Sequence, residues 1–196
     1  PLTSSAASDV YKRQLLNYAI GKNPKVSLGW KTKYMNEVIV PLLSRNINLQ
    51  LDAGAEKVMI LDSGIGNMSE SYFKKHYVNS LQPLIQSDTG YYTKQLNSRC
   101  LPTLYKMGWA GIGIDSTVDI TNTFKKYKDG FIQGNFDEQL LLLPREECRS
   151  HIEQFLNTMQ TFDTTGWVCG LGHGIYKTTP EENVRMFVRM VRERFA

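Results

Sequence analysis

Two hydrophobic periods alternate along the chain. A helical one runs from about Lys31 to Asp52, where Met35, Val38, Ile39, Leu42, Leu43 and Leu49 recur at mostly three- and four-residue spacing, and Pro41 is expected to bend it. The short run Lys57-Val-Met-Ile-Leu-Asp62 follows. It is too uniformly apolar to have a wet face, which predicts a strand buried on both sides. A loop covers 63–68, and Ser69 is placed to cap a helix reaching about Ile85. The unit then repeats. Strands are expected over 89–94, 110–115, 130–135 and 166–171. Helices fall between them: one from Cys100 to Met107 closed by Gly108, one capped by Asp119 and ending near Lys128, and one from Pro144 to about Phe162. Thr179-Pro-Glu-Glu182 signals the last helix, with a capping-box Glu and Pro at the first helical position; its buried stripe is read as Val184, Phe187, Val188 and Val191.

Strand, loop and helix five times over, with strands apolar on both faces, mean parallel βα units. The predicted class is α/β, of the (β/α)8 TIM-barrel type. Eight such units need about 250 residues, so the expectation here is an incomplete barrel of about five. Residues 1–14 (PLTSSAASDVYKRQ) carry neither period and no apolar signal-peptide stretch. They read as a disordered tail or artefactual leader, and residues 15–196 as one barrel-type domain.

Composition narrows the function classes. With 41% hydrophobic and 21% charged residues the chain has material for a core, but no apolar run approaches the roughly 18 residues of a membrane span. The net charge of +4 is dispersed. Arg185, Arg189, Arg192 and Arg194 lie among apolar positions of the last helix, which argues for a solvated helix face rather than a nucleic-acid groove. A modest positive balance also suits a polyanionic small substrate. Cys100, Cys148 and Cys169 are too few and scattered for a disulfide framework and form no C-x-x-C pair, so the expected compartment is a reducing cytoplasm.

In parallel βα folds, functional groups sit in the loops after the carboxyl ends of the strands. That selects Asp62, Ser63, Gly64 and Gly66, then Lys94, then Asp115 and Ser116, then Gln133, Asn135 and Asp137, and finally Cys169 to Gly174. Gly170-Leu-Gly-His-Gly174 is the most informative. Its glycines let the backbone turn tightly and a ligand come close, while His173 is the one group there able to change charge between pH 5 and 8. The competing structural reading is a glycine turn with an incidental, hydrogen-bonded histidine. His76 and His151, inside helical segments, read as surface or capping residues. Ser63 lacks a G-x-S-x-G elbow and an evident base, which makes it a hydrogen-bonding hydroxyl for a ligand rather than a nucleophile. Asp62 and Asp115 are open between acid and structural roles. Gly64-x-Gly66 is too short for a dinucleotide fingerprint, and Cys169 with His173 falls short of the three ligands of a catalytic zinc, so no metal is assigned.

Several motifs taken together resemble one family. Phe131-Ile-Gln-Gly-Asn-Phe-Asp137, Gly170-Leu-Gly-His-Gly-Ile175 and Thr179-Pro-Glu-Glu-Asn-Val184 follow the order of the Q-G-N-L-D, L-G-H-G-I and T-P-x-E-N-V segments of the uroporphyrinogen decarboxylases. Ala53-Gly-Ala55 ahead of Asp62-Ser63, and Gly111-Ile-Gly-Ile-Asp115 with Thr117-Val-Asp119, fall where that family has A-G-A and G-L-D-W-T-V-D, with Ser116 in place of Trp. The resemblance implies a (β/α)8 enzyme of haem biosynthesis in the cytoplasm. Such an enzyme takes a tetrapyrrole, removes carbon dioxide from the four acetate side chains of uroporphyrinogen to give coproporphyrinogen, and uses no metal or organic cofactor. It implies no nucleic-acid or membrane partner and is compatible with a homodimer. Carried over by position, Ser63 matches a substrate-side hydroxyl, and His173 the active-site histidine that meets a substrate carboxylate or assists proton handling. The family's arginine pair on the first strand, its aspartate on the second and its tyrosine after the third have no counterpart here, so the chain alone is expected to be inactive. Two other readings compete: a zinc- and corrinoid-dependent methyltransferase relative, for which the His-x-Cys pair is missing, and a non-catalytic barrel remnant serving as a binding module.

Overall fold

The short runs read as strands form strands, and the longer mixed runs between them form helices. The computed structural model describes residues 33–62, 69–96 and 98–195; the 1–14 segment and Ser63 lie outside them. In chain order the elements are α1 (residues 35–52), β1 (Val58–Asp62), α2 (residues 70–81), β2 (Thr89–Thr93), α3 (Leu101–Tyr105), β3 (Gly111–Ile114), α4 (Ile120–Lys126), β4 (Phe131–Phe136), α5 (Arg145–Gln160), β5 (Trp167–Leu171) and α6 (Glu181–Phe195). The strands take the order β1-β2-β3-β4-β5. This is the expected series of parallel βα units. Backbone contacts gather into two compact units that divide between Ile112 and Gly113.

In the first unit β1 and β2 pair in parallel from Val58↔Thr89 to Asp62↔Thr93. Val58, Met59 and Ile60 are buried along with Tyr91, as strands covered on both faces demand. Ser69 caps α2 as expected, its Oγ accepting from the Tyr72 N–H at 3.3 Å. Pro102 sits in the first turn of α3, where a missing N–H costs nothing.

The stripe of α1 needs correction. Met35, Ile39 and Leu43 are buried, but Val38, Leu42 and Leu49 are exposed, Leu49 by 58%, while Val40 and Ile47 take inner positions. A π-helical turn over Met35–Ile39, closed by the Val40 N–H on Met35 O, is the cause. It holds one residue more per hydrogen-bonded ring than an α-turn and so shifts the phase of everything read from before it. Pro41 follows that turn directly, in the first turn of the α-helical stretch Val40–Asp52.

In the second unit β4 and β5 pair in parallel from Ile132↔Trp167 to Phe136↔Leu171. Phe136, Leu141, Cys148, Ile152, Leu156, Met186, Phe187 and Met190 form its core. Phe136 anchors that core edge-on to Phe155 at 5.4 Å and tilted against Phe187 at 5.1 Å. Every residue of β5 is only half-buried, unlike β1 at the other end of the sheet order, where four of five residues are buried.

The predicted stripe of α6 is rotated by one residue, about 100°. Asn183, Met186, Phe187 and Met190 face inward, whereas Val184 and Val191 are half-buried and Val188 is 41% exposed. Asn183 sets this phase. Its Nδ2 donates to Leu141 O at 3.0 Å and Leu143 O at 2.9 Å, which draws a polar residue to the inner face. The capping box does not form: Thr179 Oγ1 is buried without a hydrogen-bond partner, and the first turn closes through Asn183 N–H on Pro180 O at 3.1 Å. The arginines of α6 behave as a solvated face, Arg185 pairing with Glu181 at 2.6 Å and Arg189 with Glu193 at 3.8 Å.

Candidate functional site

The carboxyl end of β5 carries His173 on a turn built from backbone. Gly172 N–H donates to Phe136 O at 2.7 Å, continuing the β4–β5 ladder one step past the strand. A Cβ at Gly172 would stand 2.6 Å from Ser116 N and 3.3 Å from Asp115 Cα, so only glycine fits there. His173, the next residue, is exposed, and its Nδ1 lies 3.4 Å from Gly174 O. Among the described residues, nothing lies within 4 Å of where a Cβ on Gly174 would stand. The imidazole therefore stands free of the core on a rigid support.

That support is the 115–118 turn. Asp115 is buried and holds the turn with its own carboxylate, Oδ1 accepting from Thr117 N–H at 3.1 Å and Thr117 Oγ1 at 2.5 Å. Asn135, buried at the end of β4, donates through Nδ2 to Asp115 O at 2.8 Å and Val118 O at 2.6 Å. Gly134 lets β4 come this close: with φ at +128°, an added Cβ would sit 2.5 Å from Ile114 O. Of the strand-exit residues selected by position, the structure thus brings Asp115, Ser116, Asn135 and His173 into one assembly. Asp115 acts in it as a turn-holding residue. Asp137 belongs elsewhere, its Oδ1 accepting from Gln139 N–H at 2.9 Å to start a short 3-10 turn.

The carboxyl end of β1 is closed by side chains instead. Asp62 is 1% exposed, and its Oδ2 accepts from Tyr77 of α2 at 2.5 Å and from Tyr91 of β2 at 2.9 Å. Tyr91 also stacks on Trp109 at 5.1 Å. Burial, and then the negative charge of Asp62, push the Tyr91 hydroxyl well above its usual pKa. Asp62 is accordingly the hydrogen-bond acceptor of a buried triad. Neither tyrosine is visible as a partner from sequence spacing, because both contacts are tertiary. Ser63, immediately beyond Asp62, is not among the described residues.

Cys169 sits on β5, half-buried, with its thiol pushed up to about 12 by burial, the opposite of an activated thiolate. Cys100 and Cys148 are buried and free. Among the described residues, no three His, Cys, Asp or Glu side chains converge as a metal site, and no helix is long and apolar enough to cross a membrane.

Five parallel strands with helices between them define a barrel-type α/β protein. A methyltransferase from Methanosarcina mazei superposes with a TM-score of 0.74 at 17% identity, over 95% of this chain and 58% of that one, which shows the fold. The family model described as uroporphyrinogen decarboxylase matches residues 31–194. The chain belongs to the uroporphyrinogen decarboxylase family. Among curated relatives, the uroporphyrinogen decarboxylase of Hydrogenobaculum sp. is 28% identical over 164 residues, covering 80% of this chain and 47% of that protein. The enzyme of that name from Chlamydia muridarum is 32% identical over 150 residues, covering 73% and 44%. The chain thus spans about half the length of the curated relatives it matches.

Proposed function

We propose that this chain forms the His173-bearing part of a site that binds uroporphyrinogen and decarboxylates its four acetate side chains to methyl groups, giving coproporphyrinogen. The observation that carries the reading is the exposed His173 on its glycine turn at the β5 exit, within a family match that runs through both flanking motifs. The chemistry asks for what such a group supplies. Protonation of a pyrrole carbon makes an iminium-like ring; the C–C bond to the carboxylate breaks, carbon dioxide leaves, and its electron pair flows into the ring. A proton then adds to the exocyclic carbon and the ring proton is lost. A cationic or proton-bearing imidazole serves by holding a substrate carboxylate or relaying a proton. Ser63, which directly follows the last residue of β1, is assigned to bind substrate through its hydroxyl.

No metal or organic cofactor enters this scheme. The chain on its own is proposed to bind the tetrapyrrole without turning it over, since the family's arginine pair, aspartate and tyrosine have no counterpart in this sequence. The test is fluorescence titration of the chain with uroporphyrin, the stable oxidised form of the substrate, together with an anaerobic assay for coproporphyrinogen. Saturable binding that His173→Ala weakens at least fivefold, without product, is expected. Absence of binding overturns the proposed substrate, and product formation by the chain overturns its proposed inactivity.

A further inference from the structure

We infer that Asn135 is a positioning residue for His173, acting through the 115–118 turn. Neither residue touches the other. The link is a chain of close contacts within the second unit: Asn135 Nδ2 to the carbonyls of Asp115 and Val118, the turn's backbone to Gly172, and Gly172 to its neighbour His173. The first step is a pair of hydrogen bonds, the second a fit so close that an added Cβ on Gly172 would stand 2.6 Å from Ser116 N, and the third a peptide bond. Asn135 spends both amide protons on carbonyls 17 and 20 residues away in sequence, and Gly172 has no room for even one carbon more above Ser116 N. The peptide after Asn135 closes the loop from the other side, because Phe136 O accepts the Gly172 N–H at 2.7 Å. The β5 exit is therefore held between two adjacent residues of β4. Asn135 sets the height of the floor, and Phe136 tethers the turn to it. Among the described residues the exposed His173 side chain makes one weak contact of its own, to Gly174 O, so its backbone support is what the structure shows to set its position.

This inference takes from the proposed function only the idea that the orientation of His173 matters to a ligand. The orientation itself is measurable without one. The chain has three histidines, so the imidazole resonances of His173 are identified in a proton NMR spectrum by their loss in His173→Ala. Asn135→Asp is nearly isosteric but sets carboxylate oxygen where both N–H donors faced carbonyls. It is expected to shift or split the His173 imidazole signals while those of His76 and His151 stay in place, a selectivity that general loosening of the fold does not give. In uroporphyrin titrations Asn135→Asp is expected to raise Kd at least fivefold, and the double variant Asn135→Asp/His173→Ala no further than His173→Ala alone, because both act on one group.

Unchanged His173 signals in folded Asn135→Asp, or fully additive losses in the double variant, overturn the inference. Should Asn135→Asp fail to fold, Asn135→Ser decides. It removes both amide donors without adding a charge, and unchanged His173 signals in it overturn the inference equally. Displaced His173 signals in a chain that binds no uroporphyrin leave Asn135 as the positioning residue and defeat the proposed substrate instead.

Discussion

The β1 exit and the β5 exit solve the same problem in opposite ways. At β1 the polar groups are side chains: Asp62 is sealed from water and accepts hydrogen bonds from two tyrosine hydroxyls drawn from α2 and β2. At β5 the polar contacts are made by backbone and by residues of the neighbouring exits, Asn135 and Asp115, and the titratable group itself stays outside. A carboxylate in the first arrangement is committed to its partners and cannot meet a ligand without exposing them. An imidazole in the second has its position determined and its chemistry unspent. Burial and hydrogen-bond count thus separate a structural acid from a candidate functional base, the one at the last position of its strand and the other two residues past the end of its own.

The comparison breaks most readily at Asp62. Asp62→Ala leaves the Tyr77 and Tyr91 hydroxyls without their acceptor, one of them fully enclosed, and removes two bonds to a charged group. Losses of this kind cost about 3 kcal/mol or more. Chemical denaturation should show the midpoint falling steeply, with Asp62→Asn recovering part of the loss through its remaining oxygen. A midpoint equal to that of the unsubstituted chain would remove Asp62 from the structural side of the comparison.

Alkaline titration distinguishes the two exits by the pH at which each begins to fail. Cys169 on β5 has a folded-state pKa near 12, whereas an unfolded thiol ionises near 8.5. Above that value the unfolded chain releases a proton that the folded chain keeps, so stability is whole below about 8.5 and declines as the pH rises. Tyr91 is likewise raised, but from about 10, and its contribution declines only above that pH. Between pH 9 and 10 the loss should therefore belong to the thiols, Cys169 contributing about 1 kcal/mol beside the likewise raised Cys100 and Cys148. Cys169→Ala should flatten the stability profile there, and Tyr91→Phe should flatten it only beyond pH 10. An unchanged slope in Cys169→Ala would place the alkaline sensitivity elsewhere.

Much of this organisation is legible in the sequence, and what is not shares a physical cause. The strands, the Ser69 cap and the Asp119 cap, whose Oδ1 takes the Thr121 and Asn122 N–H groups at 2.9 and 3.2 Å, depend on residues within four positions of one another. The inner faces of α1 and α6 do not. One is re-phased by a π turn that local composition does not announce, and the other by Asn183, which reaches carbonyls 40 and 42 residues away. At the candidate site His173 stands out by its glycines, while Asn135 is marked by its place at a strand's end and by the Q-G-N motif, neither of which says what it holds. Its role rests on bonds to distant carbonyls, and a single sequence carries no signal for those. The tyrosines around Asp62 are hidden for the same reason, 15 and 29 residues away.

The smallest effect on stability is expected where the effect on ligand should be clearest. His173→Ala removes an exposed ring whose one polar contact in the structure is a long one to its neighbour's carbonyl. Surface truncations of this kind stay within about 0.5 kcal/mol, so the denaturation midpoint should match that of the unsubstituted chain. If it falls as far as in Asp62→Ala, the imidazole is holding the turn rather than being held by it, and the two exits are alike after all. An unchanged midpoint together with weakened uroporphyrin binding would mean that the fold positions a group it does not need for its own stability, which distinguishes a binding residue from a structural one.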